Sequence, residues 1–230
     1  MIFFDIDGTL LDHDRAEKLA AVDFHKQYYL QLNVDEKEFV QKWFQLSHQY
    51  FDLFLQKQLS FAEQRRLRIK GIFGQQLSNQ QADDLFQEYL LYYKRNWSIF
   101  DDVIPCLENL QQAGHRLGII TNGEKAQQLE KLQTVGIETY FEHILTSSEV
   151  GVAKPTPKIF HIACKQANVN TAECYYIGDR LKTDAEASQK AGMFGIWLNR
   201  EQKILETDVK QLQQLAELVG LLKIDTKTYK

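Results

Sequence analysis

The chain is poor in residues that break helices. Only three prolines occur in 230 residues, the first at Pro105, and no glycine lies between Gly8 and Gly71. A stretch free of both excludes a run of tight turns and leaves antiparallel helices with short connections. Cysteine is also scarce. Cys106, Cys164 and Cys174 are odd in number and lack a Cys-x-x-Cys pair, which argues against a disulfide framework or a zinc site and for reduced thiols in a cytoplasmic protein. No apolar run approaches the ~20 residues of a membrane span, and the start, Met1-Ile2-Phe3-Phe4-Asp5, does not read as a signal peptide. A net charge of −4 provides no positive footprint, so neither a nucleic acid polymer nor an anionic membrane is an expected partner. What is present, 44% hydrophobic and 25% charged residues, is ordinary for a globular chain with room for one large domain or two modest ones.

The most informative positive feature is Asp5-Ile6-Asp7-Gly8-Thr9-Leu10 at the end of the apolar opening. A β-rich run that delivers two carboxylates to its tip places Asp5 and Asp7 on one face, because residues i and i+2 of a strand point the same way. Gly8 lets the backbone turn and approach a ligand. Two such acids divide the work of nucleophile and general acid, or hold a hard cation such as Mg²⁺ through oxygen.

The same grammar recurs three times. Leu117 to Ile120 ends in Thr121-Asn122-Gly123, His143 to Thr146 leads toward Lys154-Pro155, and Cys174 to Ile177 ends in Gly178-Asp179 with Asp184 beyond. Helical stretches separate these short strands, and Phe194 to Leu198 reads as a fifth. The expected fold is α/β with a Rossmann-like parallel sheet, whose ligands bind beyond the carboxyl ends of the strands. The four tips should converge on one site.

The glycine- and proline-free stretch is inserted after the first strand. Residues 13–98 read as a four-helix bundle, with Phe39, Val40, Trp43, Phe44 and Leu46 at helical intervals. Helix starts are expected at Asn33 to Glu36, at Ser60 with Glu63, and at Ser78 with Gln81, the last two with capping-box spacing. The Arg65-Arg66-x-Arg68 cluster reads as a solvated face, with contact to an anionic substrate as the alternative. Residues 1–12 and 99–230 form the core. Its helices are expected over Glu124 to Val135 (stopped by Gly136), Pro157 to Ala167, Asp184 to Ala191 and Val209 to Leu222, followed by a frayed polar tail from Ile224 to Lys230.

With these motifs in order, Asp5-x-Asp7-Gly8-Thr9, Thr121-Asn122-Gly123, Lys154-Pro155 and Gly178-Asp179-x-x-x-x-Asp184, the chain resembles the phosphatase branch of the haloacid dehalogenase superfamily. Gly118 to Gly123, Ser148 to Pro155 and Gly195 to Asn199 look similar to the pyrimidine nucleotidases, N-acylneuraminate-9-phosphatases and related sugar-phosphate phosphatases. The resemblance implies that residues 13–98 are a cap and that Asp5 attacks phosphorus while Asp7 serves as acid and then base. It implies phosphate contacts from Gly8, Thr9, Thr121, Asn122, Gly123 and Lys154, and Mg²⁺ held by Asp5, Asp179 and the Asp7 carbonyl. Dehalogenases of this superfamily lack the second acid, so Asp7 argues for phosphate. Two positions keep alternatives. Thr121 can cap the following helix, and Asp184 can be an N-terminal helix charge or an acid that orients Lys154 or a metal water. The expected activity is Mg²⁺-dependent hydrolysis of a small phosphorylated metabolite, a nucleoside monophosphate or a sugar phosphate, by a monomer or homodimer. A phosphosugar mutase and a non-catalytic binding module are the alternatives.

Overall fold

The computed structural model describes residues 1–228. It contains two compact units, one built from Met1–Asp12 and the chain from Ser98 onward, the other from His13–Trp97. Among the described residues no helix is long and apolar enough to cross a membrane.

After the short, fully buried strand β1 (Ile2–Phe4), the chain enters the helical unit. This consists of α1 (His13–Leu32), α2 (Glu36–Leu55), α3 (Phe61–Phe73) and α4 (Asn79–Arg95). Asp35 caps α2 by accepting from Lys37 N–H and Glu38 N–H. Ser60 and Glu63, then Ser78 and Gln81, form reciprocal capping boxes that start α3 and α4. Each cap is worth about 0.5–2 kcal/mol. The bundle closes on aromatic rings. Phe24 lies 5.7 Å from Trp43 and 5.8 Å from both Phe73 and Tyr89, centroid to centroid, and pairs of this kind add roughly 0.5–1.5 kcal/mol beyond burial.

The arginine cluster departs from the expected solvated face. Arg68 is buried, donating to Glu17 at 2.8 Å and to Ser47 at 2.5 Å. Arg66 grips Asp83 through two bonds of 2.7 and 2.8 Å, and Arg65 stacks on Phe61 and Phe86. Helix α3 turns Arg68 toward the interior because Glu17 of α1 is there to receive it, a tertiary partner that local spacing does not reveal.

The sheet unit resumes with α5 (Val103–Gln112), β2 (Leu117–Thr121), α6 (Lys125–Thr134), β3 (His143–Thr146), the short α7 (Ser147–Val150) and α8 (Pro157–Gln166). It continues through β4 (Tyr175–Gly178), α9 (Glu186–Lys190), β5 (Phe194–Leu198), β6 (Lys210–Leu212) and α10 (Ala216–Thr228). All pairings are parallel in the order β3-β2-β1-β4-β5-β6, the Rossmann-like α/β fold expected. Because β2 and β3 extend the sheet on one side of β1 and β4 to β6 on the other, the strand order reverses between β1 and β4, the switch point where open α/β sheets bind ligands. The segments that leave and re-enter this unit lie side by side, with Asp12 N–H donating to Ser98 O at 2.9 Å and Phe100 N–H to Leu10 O at 3.2 Å. The three cysteines are free and buried.

Two expectations are corrected near the C-terminus. Val209 to Leu222 is not one helix: Lys210–Leu212 is a sixth strand, in register with Ile196 to Leu198 of β5. The apolar spacing of Val209, Leu212, Leu215 and Leu218 imitates a helix, but pairing satisfies the open edge of β5. The Glu217 carboxylate then accepts from Gln213 N–H and Gln214 N–H and begins α10. That helix runs to Thr228, so the tail expected to fray from Ile224 is helical over its described part; residues 229–230 lie outside the described residues. The helix expected from Asp184 also starts earlier, with a π-helical turn at Leu181–Ala185 that places Asp184 inside it.

Candidate active site

Asp5 follows β1 directly and is buried. Its amide donates to Ile177 O of β4 at 2.9 Å, which fixes the turn. Gly8 adopts φ 82°, and a Cβ there would lie 2.5 Å from an Asp179 carboxylate oxygen. This is one position where only glycine lets the first and fourth tips approach. Gly178 meets the same constraint from Asp184, whose Cβ would be 2.4 Å away. Thr9 is buried; its Oγ1 has no hydrogen-bond partner.

Lys154 is the hub. Its buried ammonium lies 2.8 Å from Asp5, 2.7 Å from Asp184 and 2.7 Å from the Tyr176 hydroxyl. Asn122 holds the Lys154 backbone at both ends, its amide donating to Lys154 O at 3.0 Å and accepting from Lys154 N–H at 2.8 Å. Asp184 lies in the π-helical turn, beside Lys154. It is fully buried, touches Lys154, and also accepts from Arg180 N–H at 3.0 Å.

Asp5, Asp179 and Asp184 bring carboxylate oxygens within 4.8 Å of one another. Asp7 is not in that set, and its carboxylate turns toward α6 instead. Burial pushes Asp5 above the carboxylate range, Lys154 opposes this, and Asp184 adds to it. Asp179 is driven well above that range by burial and then by Asp184 and Asp5, and its Oδ1 is buried without a hydrogen-bond partner. Burial works against the Lys154 ammonium, but Asp184 and Asp5 outweigh it and raise its pKa. Three carboxylates, two of them on the Lys154 ammonium and the third with an orphaned oxygen, form a donor set that suits a hard divalent cation.

Thr121 ends β2 buried, with its hydroxyl accepting from Gln128 at 2.9 Å. It does not cap α6; Glu124 does, accepting from Ala126 N–H at 2.7 Å. The amides before α6 are not an open row of anion donors. Gly123 N–H donates to Ser147 Oγ at 3.0 Å and Lys125 N–H to Ser148 Oγ at 2.9 Å.

Three residues at the site were not anticipated. Tyr176 braces Lys154 and donates to Ile120 O at 2.8 Å; its place inside a strand was the available signal. Gln128 and Lys131, three apart on α6, both reach Asp7. Their shared helix face was legible from spacing, but its direction was not.

Residues 1–192 match the model of the haloacid dehalogenase-like hydrolases. The chain belongs to this family. It is 41% identical to the glyceraldehyde 3-phosphate phosphatase of Methanopyrus kandleri over 101 residues, 44% of this chain and 43% of that protein. A longer match, 29% over 213 residues, joins it to the glyceraldehyde 3-phosphate phosphatase of Pyrococcus abyssi, covering 86% of this chain and 80% of the relative. The human N-acylneuraminate-9-phosphatase is 26% identical over 208 residues, 86% and 82% of the two chains. Among solved folds, the HAD-hydrolase YfnB of Bacillus subtilis, crystallised with magnesium, superposes with a TM-score of 0.81 at 24% identity over 96% of this chain and 97% of its own. This haloacid dehalogenase-like hydrolase therefore has phosphatases as its named relatives.

Proposed function

We propose that the chain is a Mg²⁺-dependent phosphatase of small phosphorylated metabolites that works through an aspartyl phosphate. The observation that carries this reading is the Asp5–Lys154–Asp184 chain with Asp179 beside it, at the sheet's switch point. Asp5 Oδ attacks phosphorus, the phosphorus–oxygen bond to the leaving group breaks, and Asp7 supplies the proton that the departing oxygen needs. Water then attacks the aspartyl phosphate, Asp7 takes its proton, and inorganic phosphate leaves with the Asp5 carboxylate restored. Lys154 neutralises charge beside Asp5, and the Thr121 hydroxyl with Asn122 positions the phosphoryl group. Mg²⁺ on Asp5, Asp179 and the Asp7 carbonyl, with Asp184 nearby, would supply charge neutralisation at phosphorus. The helical unit, inserted after β1, is assigned the role of a cap that reads the leaving group.

The relatives carry triose-phosphate and acylated sugar-phosphate names, which favours a sugar or triose phosphate over a nucleoside monophosphate. The test is phosphate release from glyceraldehyde 3-phosphate, sugar phosphates and nucleoside monophosphates, with Mg²⁺ and with EDTA, alongside an acid-quench trap for phosphoprotein. Release that needs Mg²⁺ and passes through a trapped phosphoenzyme is expected. Metal-independent release without a phosphoenzyme would refute the reading.

A further inference from the structure

We infer that Lys131, assisted by Gln128, is the residue that positions Asp7 for proton transfer. The inference rests on the phosphatase reading above and assigns a role to a helix that none of the four motifs includes.

Asp7 lies beyond the end of β1, in the turn that Gly8 makes possible, and its side chain is 25% exposed. A carboxylate in such a turn, left to itself, rotates among several orientations. Here both oxygens are held. The Lys131 ammonium is 2.7 Å from one and 2.8 Å from the other, and the Gln128 amide donates to the second at 3.1 Å. Lys131 is itself buried. A buried ammonium is unfavourable unless paired, so the lysine and the carboxylate fix each other.

The grip is anchored at its other end. Helix α6 is capped by Glu124 and tied through Ser147 and Ser148 to the tip of β3. The same Gln128 amide also donates to the Thr121 hydroxyl at 2.9 Å and to Asn122 O at 3.2 Å. One helix face thus registers the proton-transfer acid against the tip that meets the phosphoryl group. A displacement of about 1 Å between reacting groups can cost on the order of 10²-fold in rate, and this face sets that separation. Lys131 acts through Asp7, so it is a positioning residue and not a catalytic one.

Leaving-group sensitivity tests the role. The probes are p-nitrophenyl phosphate, whose leaving group needs little proton help, and phenyl phosphate, whose leaving group needs more. The full chain is measured as wild type, Asp7→Asn, Lys131→Met, Lys131→Gln and Lys131→Arg, each checked for fold by circular dichroism. With Mg²⁺, Lys131→Met and Lys131→Gln should lower kcat/KM for phenyl phosphate about 10-fold or more beyond the loss on p-nitrophenyl phosphate, within the ~10²–10⁴-fold that proton transfer contributes. Lys131→Arg should recover much of that difference, and adding Lys131→Met to Asp7→Asn should cost little more. Equal losses on both probes in folded Lys131→Met or Lys131→Gln, while Asp7→Asn discriminates them, would overturn the inference and leave the phosphatase reading intact. If Asp7→Asn also fails to discriminate, the role of Asp7 itself falls.

Discussion

Both units bury charged side chains, and they balance them differently. In the helical unit Glu17 meets Arg68 at 2.8 Å and His13 at 3.5 Å. Burial alone would raise the Glu17 pKa, yet His13, Arg68 and Ser47 hold it down at about 2. In the sheet unit buried Asp5 and Asp184 share the contacting Lys154, partly buried Asp179 lies beside them with Arg180 acting on it, and Asp179 is pushed up instead. The first network is matched in charge and holds helices together. The second keeps an excess of negative charge, with Asp5, Asp179 and Asp184 set against Lys154 and Arg180, as the proposed metal-assisted site requires. Depth of burial does not separate structural from functional charge here; the balance of partners does.

The largest effect expected from breaking this comparison is on turnover. Asp5→Asn keeps the shape of the side chain but removes the proposed nucleophile, so phosphate release should fall to the uncatalysed level while the urea midpoint changes little. Residual turnover near wild type in pure protein, with deamidation excluded, would remove Asp5 from that role.

The matched network should respond in the opposite way. Arg68→Met leaves Glu17 buried without its guanidinium, a change that typically costs about 3–5 kcal/mol, measurable by urea unfolding. Replacing both residues, Glu17→Gln with Arg68→Met, should cost less than the sum of the single changes.

A smaller effect is a pH slope. Glu17 has a folded pKa of about 2 against an ordinary 4.5. Its contribution to stability is therefore complete above about 4.5 and is lost as pH falls through about 2. Glu17→Gln should flatten the acid limb of stability against pH in that window. An unchanged slope would show that the network does not hold Glu17 ionised.

The sequence announced some of this and concealed the rest for physical reasons. Strand tips were legible because apolar runs that end in Asp5, Thr121 and Asp179 have few other uses, and Ser60 and Ser78 marked helix starts through local bonds. Three-residue β6 carries no alternation, and its existence depends on the open edge of β5. Arg68, Gln128 and Lys131 look like any polar residues on a helix. Only their tertiary partners, Glu17 and Asp7, turn them inward.

The central claim, that excess negative charge marks the site, is tested most directly by the thermal stability of Asp179→Asn against wild type, first in EDTA and then with MgCl₂. The raised folded pKa of Asp179 means that the fold disfavours its ionised form, so stability is lost as pH rises from the unfolded value through the folded one. At neutral pH without metal, the amide should therefore be the more stable protein, by about 0.5–2 kcal/mol in the range of relieved functional sites. With MgCl₂ the order should reverse, because wild type gains binding energy that the variant lacks. A variant less stable than wild type in EDTA, with both responding equally to MgCl₂, would contradict the account.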